Sequence, residues 1–260
     1  MSTHIAAGDA GWPESRELDL ALSRSALFEA AALGFGPPSA ATVERLATGP
    51  DAAGLVAAAT CLDRATLVPL VAALADTDTG VAWLTQAHRR LFGHTVRGEV
   101  PAYETEYGGD DLFRQPHEIA DITGFYAAFG LTLAAGAGER ADHVRCECEF
   151  MAFLARREAV ALEQGEADVA AEVRRATRLF LRDHLGRFVP ALAERLRHAD
   201  GGGFYAALGA LAAALVRGEC RRAGVDLGSA GLGLRPPVED RVPMACGSCP
   251  LAVADGDDGD

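Results

Sequence analysis

The chain has 260 residues and a formal net charge of −13, with 49% hydrophobic and 7% aromatic residues. All 24 basic residues are Arg. A chain this acidic is repelled by phosphate backbones and anionic membrane surfaces, which argues against a nucleic-acid partner and favours a basic one. Its six Cys are too sparse and irregular for a disulfide scaffold.

Ala and Leu, the best apolar helix formers, are abundant, and runs rich in Val, Ile and Tyr are nearly absent. An all-α fold is expected. The N-terminal residues carry no positive start and no signal-like apolar run. No window reaches the ~18 apolar residues of a spanning helix. A cytoplasmic protein without membrane insertion is expected, monomeric or homodimeric.

Residues 1–14 are Gly- and Ala-rich and read as a flexible N-terminus. Leu18, Leu22, Ala26 and Ala30 recur at four-residue spacing and predict a helix over 14–33, stopped by Gly34, Gly36, Pro37 and Pro38. Ser39 caps a short helix through Leu46. Helices follow over 51–60 and 64–75, the second capped by Asp63. A turn at 76–80 leads to a helix over 81–92, and residues 93–114 are irregular. Pro116 suits the first turn of a helix reaching about Leu131. The small residues of 134–140 read as a hinge between an N-terminal lobe, 15–133, and a C-terminal lobe, 141–224. In the second lobe, helices are predicted over 141–164, 166–185, 190–198 and 204–218, the last extending to about Arg222. Residues 225–260 form a Gly/Pro-rich acidic tail that cannot order itself alone.

The stretch ADHVRCECEFM, 141–151, concentrates ligand-type residues. On a helical wheel with Asp142 at 0°, Val144, Phe150, Met151 and Leu154 fall between about 80° and 200°, with His143 and Glu147 inside that stripe. Cys146 and Cys148 point apart and cannot share one tetrahedral metal. His143 and Glu147 form an i,i+4 half-site with no second half in view. A buried His and Glu that bond each other or nearby backbone is the plainer alternative.

LFRQPHEIADITGFYAAFGL (112–131), followed by ERADHVRCECEFMAFLARREAVA (139–161), resembles the TorD/DmsD/NarJ family of molybdoenzyme maturation chaperones. The matching positions are Leu112, Phe113, Asp121, Phe125, Tyr126, Phe129 and Gly130, then Asp142, His143, Glu147, Glu149, Phe150 and Met151. LFGHTVRGEVPAYETEYG (91–108) and RDHLGRFVPALAERL (182–196) extend the likeness. Arg140 stands where the family often has Pro, so a nucleotide role attached to that motif is not carried over. The resemblance implies a two-lobed, TorD-like helical bundle without catalytic activity. It implies binding to the apo catalytic subunit of a molybdopterin oxidoreductase and to its twin-arginine leader peptide, assisting cofactor insertion and export proofreading. Asp142 and His143 are the implied client contacts.

The residues themselves add a compatible surface. Segment 99–121 holds Glu99, Glu104, Glu106, Asp110, Asp111, Glu118 and Asp121 against Arg114 alone. Such a patch can pair with Arg side chains and steer a basic peptide. Tyr103, Tyr107, Phe125 and Tyr126 offer apolar surface beside it; with the contacts that the resemblance implies, the candidate client-binding set is Asp142, His143, Tyr103, Glu104, Tyr107, Asp121, Tyr126 and Glu147. A carboxylate run is also compatible with a plain solvated face, and Phe125 and Phe129 read as core.

No resident cofactor is expected. The remaining alternative is a metal- or redox-binding protein that uses the CGSC motif, Cys246 and Cys249, as half a metal site or a dithiol. Cys220 is a conceivable third ligand if the tail folds back.

Overall fold

The computed structural model describes residues 12–75, 80–93, 98–109, 114–134 and 139–236. Among these the fold is all-α, with nine α-helices and no strand. They are α1 (Trp12–Phe35), α2 (Ala40–Val43), α3 (Pro50–Ala75), α4 (Val81–Phe92), α5 (Arg114–Ala128), α6 (Val144–Glu163), α7 (Ala167–Asp183), α8 (Leu185–Ala199) and α9 (Phe204–Ala223). A π turn (Glu44–Thr48) and a 3-10 turn (Glu104–Glu106) complete the described elements.

Helix α1 packs against α6, α3 and α9, so both halves of the sequence contribute to one continuous core. Ala21, Ala30 and Ala31 lie buried along α1 and permit close approach. Ser25 Oγ donates to the Ala152 carbonyl of α6 at 2.9 Å. Where α1, α6 and α9 meet, the core holds a charge. Arg24 is 4% exposed and donates to Glu158 at 2.7 Å and to Glu219 at 3.1 Å. Burial alone would push the Glu158 carboxyl up; Arg24, Arg174 and Arg222 overcome this and hold it below its ordinary value.

Asp63 does cap the second half of α3. Its backbone leaves the helical region (φ −159°, ψ 87°) and its Oδ1 accepts from Thr66 N at 3.1 Å. α3 corrects one expectation. By length and mean hydropathy, 1.6, it is long and apolar enough to cross a membrane. Asp63 and Arg64 interrupt it at the kink, while Leu55, Leu67, Val71 and Leu74 are buried in the core.

A second correction concerns α8. It begins at Leu185, not Pro190, and Pro190 lies inside it. Proline has no N–H to give the carbonyl four residues back. That carbonyl, on Gly186, instead accepts from Gly228 N at 2.9 Å. Both glycines are required by the close approach: a Cβ would come within 2.3 Å of Leu181 O at Gly186 and 2.1 Å of Arg187 O at Gly228. The Gly/Pro-rich segment is thereby tied down as far as Pro236. Gly108 N donates to Gly233 O at 2.9 Å and Arg235 N to Glu106 O at 2.8 Å. Residues 1–11 and 237–260 lie outside the described residues.

Arg24→Met should lower the free energy of urea unfolding by about 3 kcal/mol, because two buried carboxylates lose their shared partner. Arg174→Met, which removes a cation 41% exposed, should cost less than about 1 kcal/mol.

Candidate functional site

The start of α6 and the loop before α5 are sewn together. Glu104 N donates to Asp142 O at 2.8 Å, and Val144 N donates to Ala102 O at 2.9 Å. Tyr103 and His143 thus form an isolated antiparallel bridge. Asp142 has no exposed surface. Its Oδ2 accepts from Thr105 Oγ1 at 2.7 Å, Thr105 N at 3.3 Å and Arg140 Nη2 at 2.7 Å, and its Oδ1 from Arg140 Nε at 3.0 Å. Arg140 also lies over the Tyr103 ring, 4.6 Å from its centre. That stacking leaves Tyr103 half-buried beneath a cation.

His143 is the N-cap of α6, its Nδ1 accepting from Arg145 N at 3.0 Å. This is a His bonded to nearby backbone, which matches the His half of the plainer reading, while Glu147 bonds neither His143 nor backbone among the described residues. Burial, then the charges of His88, Arg145 and Arg140, lowers its pKa to about 3, so the ring is neutral. The inward placement of His143 and Glu147 follows the helical wheel. Cys146 and Cys148 are buried free thiols, both pushed up by burial.

Tyr107 and Tyr126 belong to the core. The Tyr107 hydroxyl donates to Pro101 O at 2.7 Å and its ring packs on Phe188. The Tyr126 hydroxyl donates to Ala141 O at 2.9 Å and its ring lies 4.9 Å from Phe150. Phe125 and Phe129 pack on Phe150 as expected of core residues.

The carboxylate run is largely matched by cations distant in sequence. Arg90 donates to Glu99 at 2.9 Å. Arg235, 4% exposed, holds Glu118 bidentately at 2.8 and 2.9 Å and donates to Thr105 O at 2.9 Å. His184, at the α7–α8 junction, places Nδ1 3.1 Å from Glu104 Oε2 and Nε2 3.1 Å from Asp121 Oδ2. Arg187 stands 3.6 Å from Glu104 Oε1. Asp121 keeps its side chain 63% exposed. Asp110 and Asp111 lie outside the described residues.

Behind Glu104 lies Glu147, fully buried, with neither oxygen hydrogen-bonded among the described residues; Glu104 Oε1 is in the same state. Burial, then the charges of Glu104 and Asp142, pushes the Glu147 carboxyl well above its ordinary value. Burial raises Glu104 too, and His184 and Arg187 oppose it. Of the two, Glu147 has no cation beside it, so its surroundings favour the neutral carboxyl.

At the far end of α5 a cleft of about 210 Å³ is lined by Tyr126, Leu131, Leu133, Cys146, Phe150 and Phe153. Leu133 is 41% exposed at its edge. Among the described residues, no group of three His, Cys, Asp or Glu converges to hold a metal ion. Cys246 and Cys249 lie outside the described residues.

Arg140, His184, Arg187 and Arg235 were not among the client-binding candidates named from sequence. Their partners lie 2, 80, 83 and 117 positions away. Only the Arg140–Asp142 pair is close enough along the chain to be sought locally.

Two outcomes are expected in equilibrium unfolding. Asp142→Ala should cost about 2–4 kcal/mol, since it strands the buried donors of Thr105 and frees Arg140 from its anchor. Glu147→Gln should match the wild type below pH 4.5, the ordinary carboxyl value. Above it, wild-type stability falls as pH rises, because the folded state keeps a proton that the unfolded state has released. The variant should gain on the wild type by up to about 1.4 kcal/mol per pH unit until the folded Glu147 ionises.

A family model described as "Nitrate reductase delta subunit" matches residues 56–194. The match begins in α3, ends in α8 and spans this site except for Arg235. No curated protein matches the chain.

Proposed function

The chain belongs to the nitrate reductase delta subunit family, whose members are maturation chaperones of molybdoenzymes, and from that premise we propose that it binds the apo catalytic subunit of a molybdopterin oxidoreductase, its basic leader peptide included. In this reading it works in the cytoplasm without chemistry of its own, holding its client until cofactor insertion is complete.

One observation carries the leader part. Asp121 and Phe125 stand four residues apart on α5, and Phe129 continues the spacing in the turn just past the helix end. The stripe starts at an exposed carboxylate. It ends where Phe129 meets Phe153, a wall of the apolar cleft. At 1.5 Å per residue, α5 runs on for roughly 10 Å from Asp121 to its end at Ala128, and Gly130 (φ 72°) then turns the chain into Leu131. A leader carries Arg first and an apolar run after it. Its Arg would pair with Asp121, and its apolar side chains would settle against Leu131, Leu133 and Phe153.

Of the sequence candidates, Tyr103 and Asp121 would meet the client. Asp142, His143, Glu104, Glu147, Tyr107 and Tyr126 would act from beneath, by holding the loop and helix that form the surface.

Co-purification from cells that make a molybdoenzyme should recover its catalytic subunit precursor. Recovery of none would refute the chaperone reading. Fluorescence anisotropy with the labelled leader should show Asp121→Asn and Leu133→Asp each weakening binding about tenfold, equivalent to about 1.4 kcal/mol. Salt should weaken the wild type more than Asp121→Asn. Unchanged affinity in both variants would place the leader elsewhere.

A further inference from the structure

His184 is 2% exposed, with its ring between those of Phe125 at 5.5 Å and Phe180 at 5.1 Å. Each ring nitrogen faces a carboxylate oxygen at 3.1 Å, Glu104 on one side and Asp121 on the other. Ionised carboxylates only accept hydrogen bonds, and a neutral imidazole has a single N–H. Both contacts are hydrogen bonds only when both nitrogens carry protons. A proton on Glu104 is opposed by Arg187, 3.6 Å from its other oxygen. The geometry therefore calls for imidazolium at this position.

The other charged groups around the ring are Asp183 beside it, Arg187 on α8 and, behind Glu104, Glu147 on α6. Burial alone would lower the His184 pKa; Glu104 and Asp121 outweigh it and hold it above the ordinary value. Asp121 is the single exposed member of the chain that runs from Glu147 through Glu104 and His184.

We propose that His184 is the resident counter-cation of an arginine-docking point at Asp121, and that docking of a client guanidinium releases the His184 proton. The proposal rests on the leader reading given above. A guanidinium presents paired N–H donors to a carboxylate and cannot itself lose its charge at neutral pH. Seated on Asp121, it takes over the oxygen that His184 now holds and sets a second positive charge beside the imidazolium. The Nε2 proton then leaves through the exposed Asp121 side to buffer. The neutral ring keeps its Nδ1–H bond to Glu104. Binding and proton release are thus linked, so affinity rises with pH and levels off once His184 is neutral before docking.

Isothermal titration of the full chain with a synthetic peptide tests this. The peptide carries an Arg-Arg pair followed by an apolar run. It is titrated near pH 7 in phosphate and in Tris, which differ in ionisation enthalpy. The wild type should show a buffer-dependent heat that reports net proton release. Its Kd should fall with rising pH, by at most about tenfold per unit. Asp121→Asn, a change at an exposed position, should bind more weakly and lose most of the buffer dependence. His184→Gln should lose it entirely. Wild-type binding with the same heat in both buffers overturns the linkage and leaves the leader reading standing. So does a buffer dependence that survives Asp121→Asn. No binding in either buffer overturns both.

Discussion

The site depends on a carboxylate with no exposed surface. Asp142 stands one residue before the cap of α6, and its oxygens collect donors from Thr105 and Arg140. An ionised group this deep is tolerated only when it is fully hydrogen-bonded and paired. The loop must therefore bring Thr105 to it, and Arg140 must fold back across it. Both conditions are met by the backbone bridge between Tyr103 and His143. With Thr105 placed, Glu104 points inward to His184 and Arg187, and the Thr105 carbonyl is presented to Arg235. The positions of Arg140, Thr105 and, through the loop, Glu104 follow from that one buried anchor.

Arginine does most of the work of neutralising carboxylates in this chain, and its geometry explains how. The guanidinium is a planar fork that can satisfy several acceptors at once. Arg24 reaches two helices, Arg235 reaches Glu118 and two carbonyls, and Arg140 bonds Asp142 and Thr105 while covering Tyr103. A Lys ammonium has no such planar fork. Asp121 is one of the places where carboxylate charge emerges at the surface near the site.

Helical periodicity was legible because it is local. The stop at Gly34–Pro38, the cap at Asp63, the inward stripe of α6 and the end of α9 near Gly224 all depend on residues a few positions apart. The start of α8 was not, because Pro190 is tolerated through a carbonyl whose replacement donor, Gly228, lies far along the chain. The acidic run was legible as composition and misleading as a local sum. Arg235 and His184, which offset it, are brought in by the tertiary fold. The ligand-rich look of residues 141–151 likewise resolved into a cap, an anchor and buried thiols.

Burial also divides the sequence candidates by what they can do. A side chain whose donors and acceptors are already used, such as Asp142 or Tyr126, has nothing to offer a partner without breaking an internal bond first. The recognition surface proposed above is built from what is left: the Asp121 carboxylate, the Arg140-covered face of Tyr103 and the cleft edged by Leu133. Few atoms are left, so selectivity has to come from their spacing. α5 supplies that spacing, because Asp121 stands about two turns before the helix end at Ala128, roughly 10 Å along the axis, and the turn at Gly130 leads from there to the cleft. A short peptide with its positive and apolar ends at another distance would satisfy one point and miss the other. On that argument the helix acts as a ruler, and the buried network beneath it keeps the ruler fixed in place.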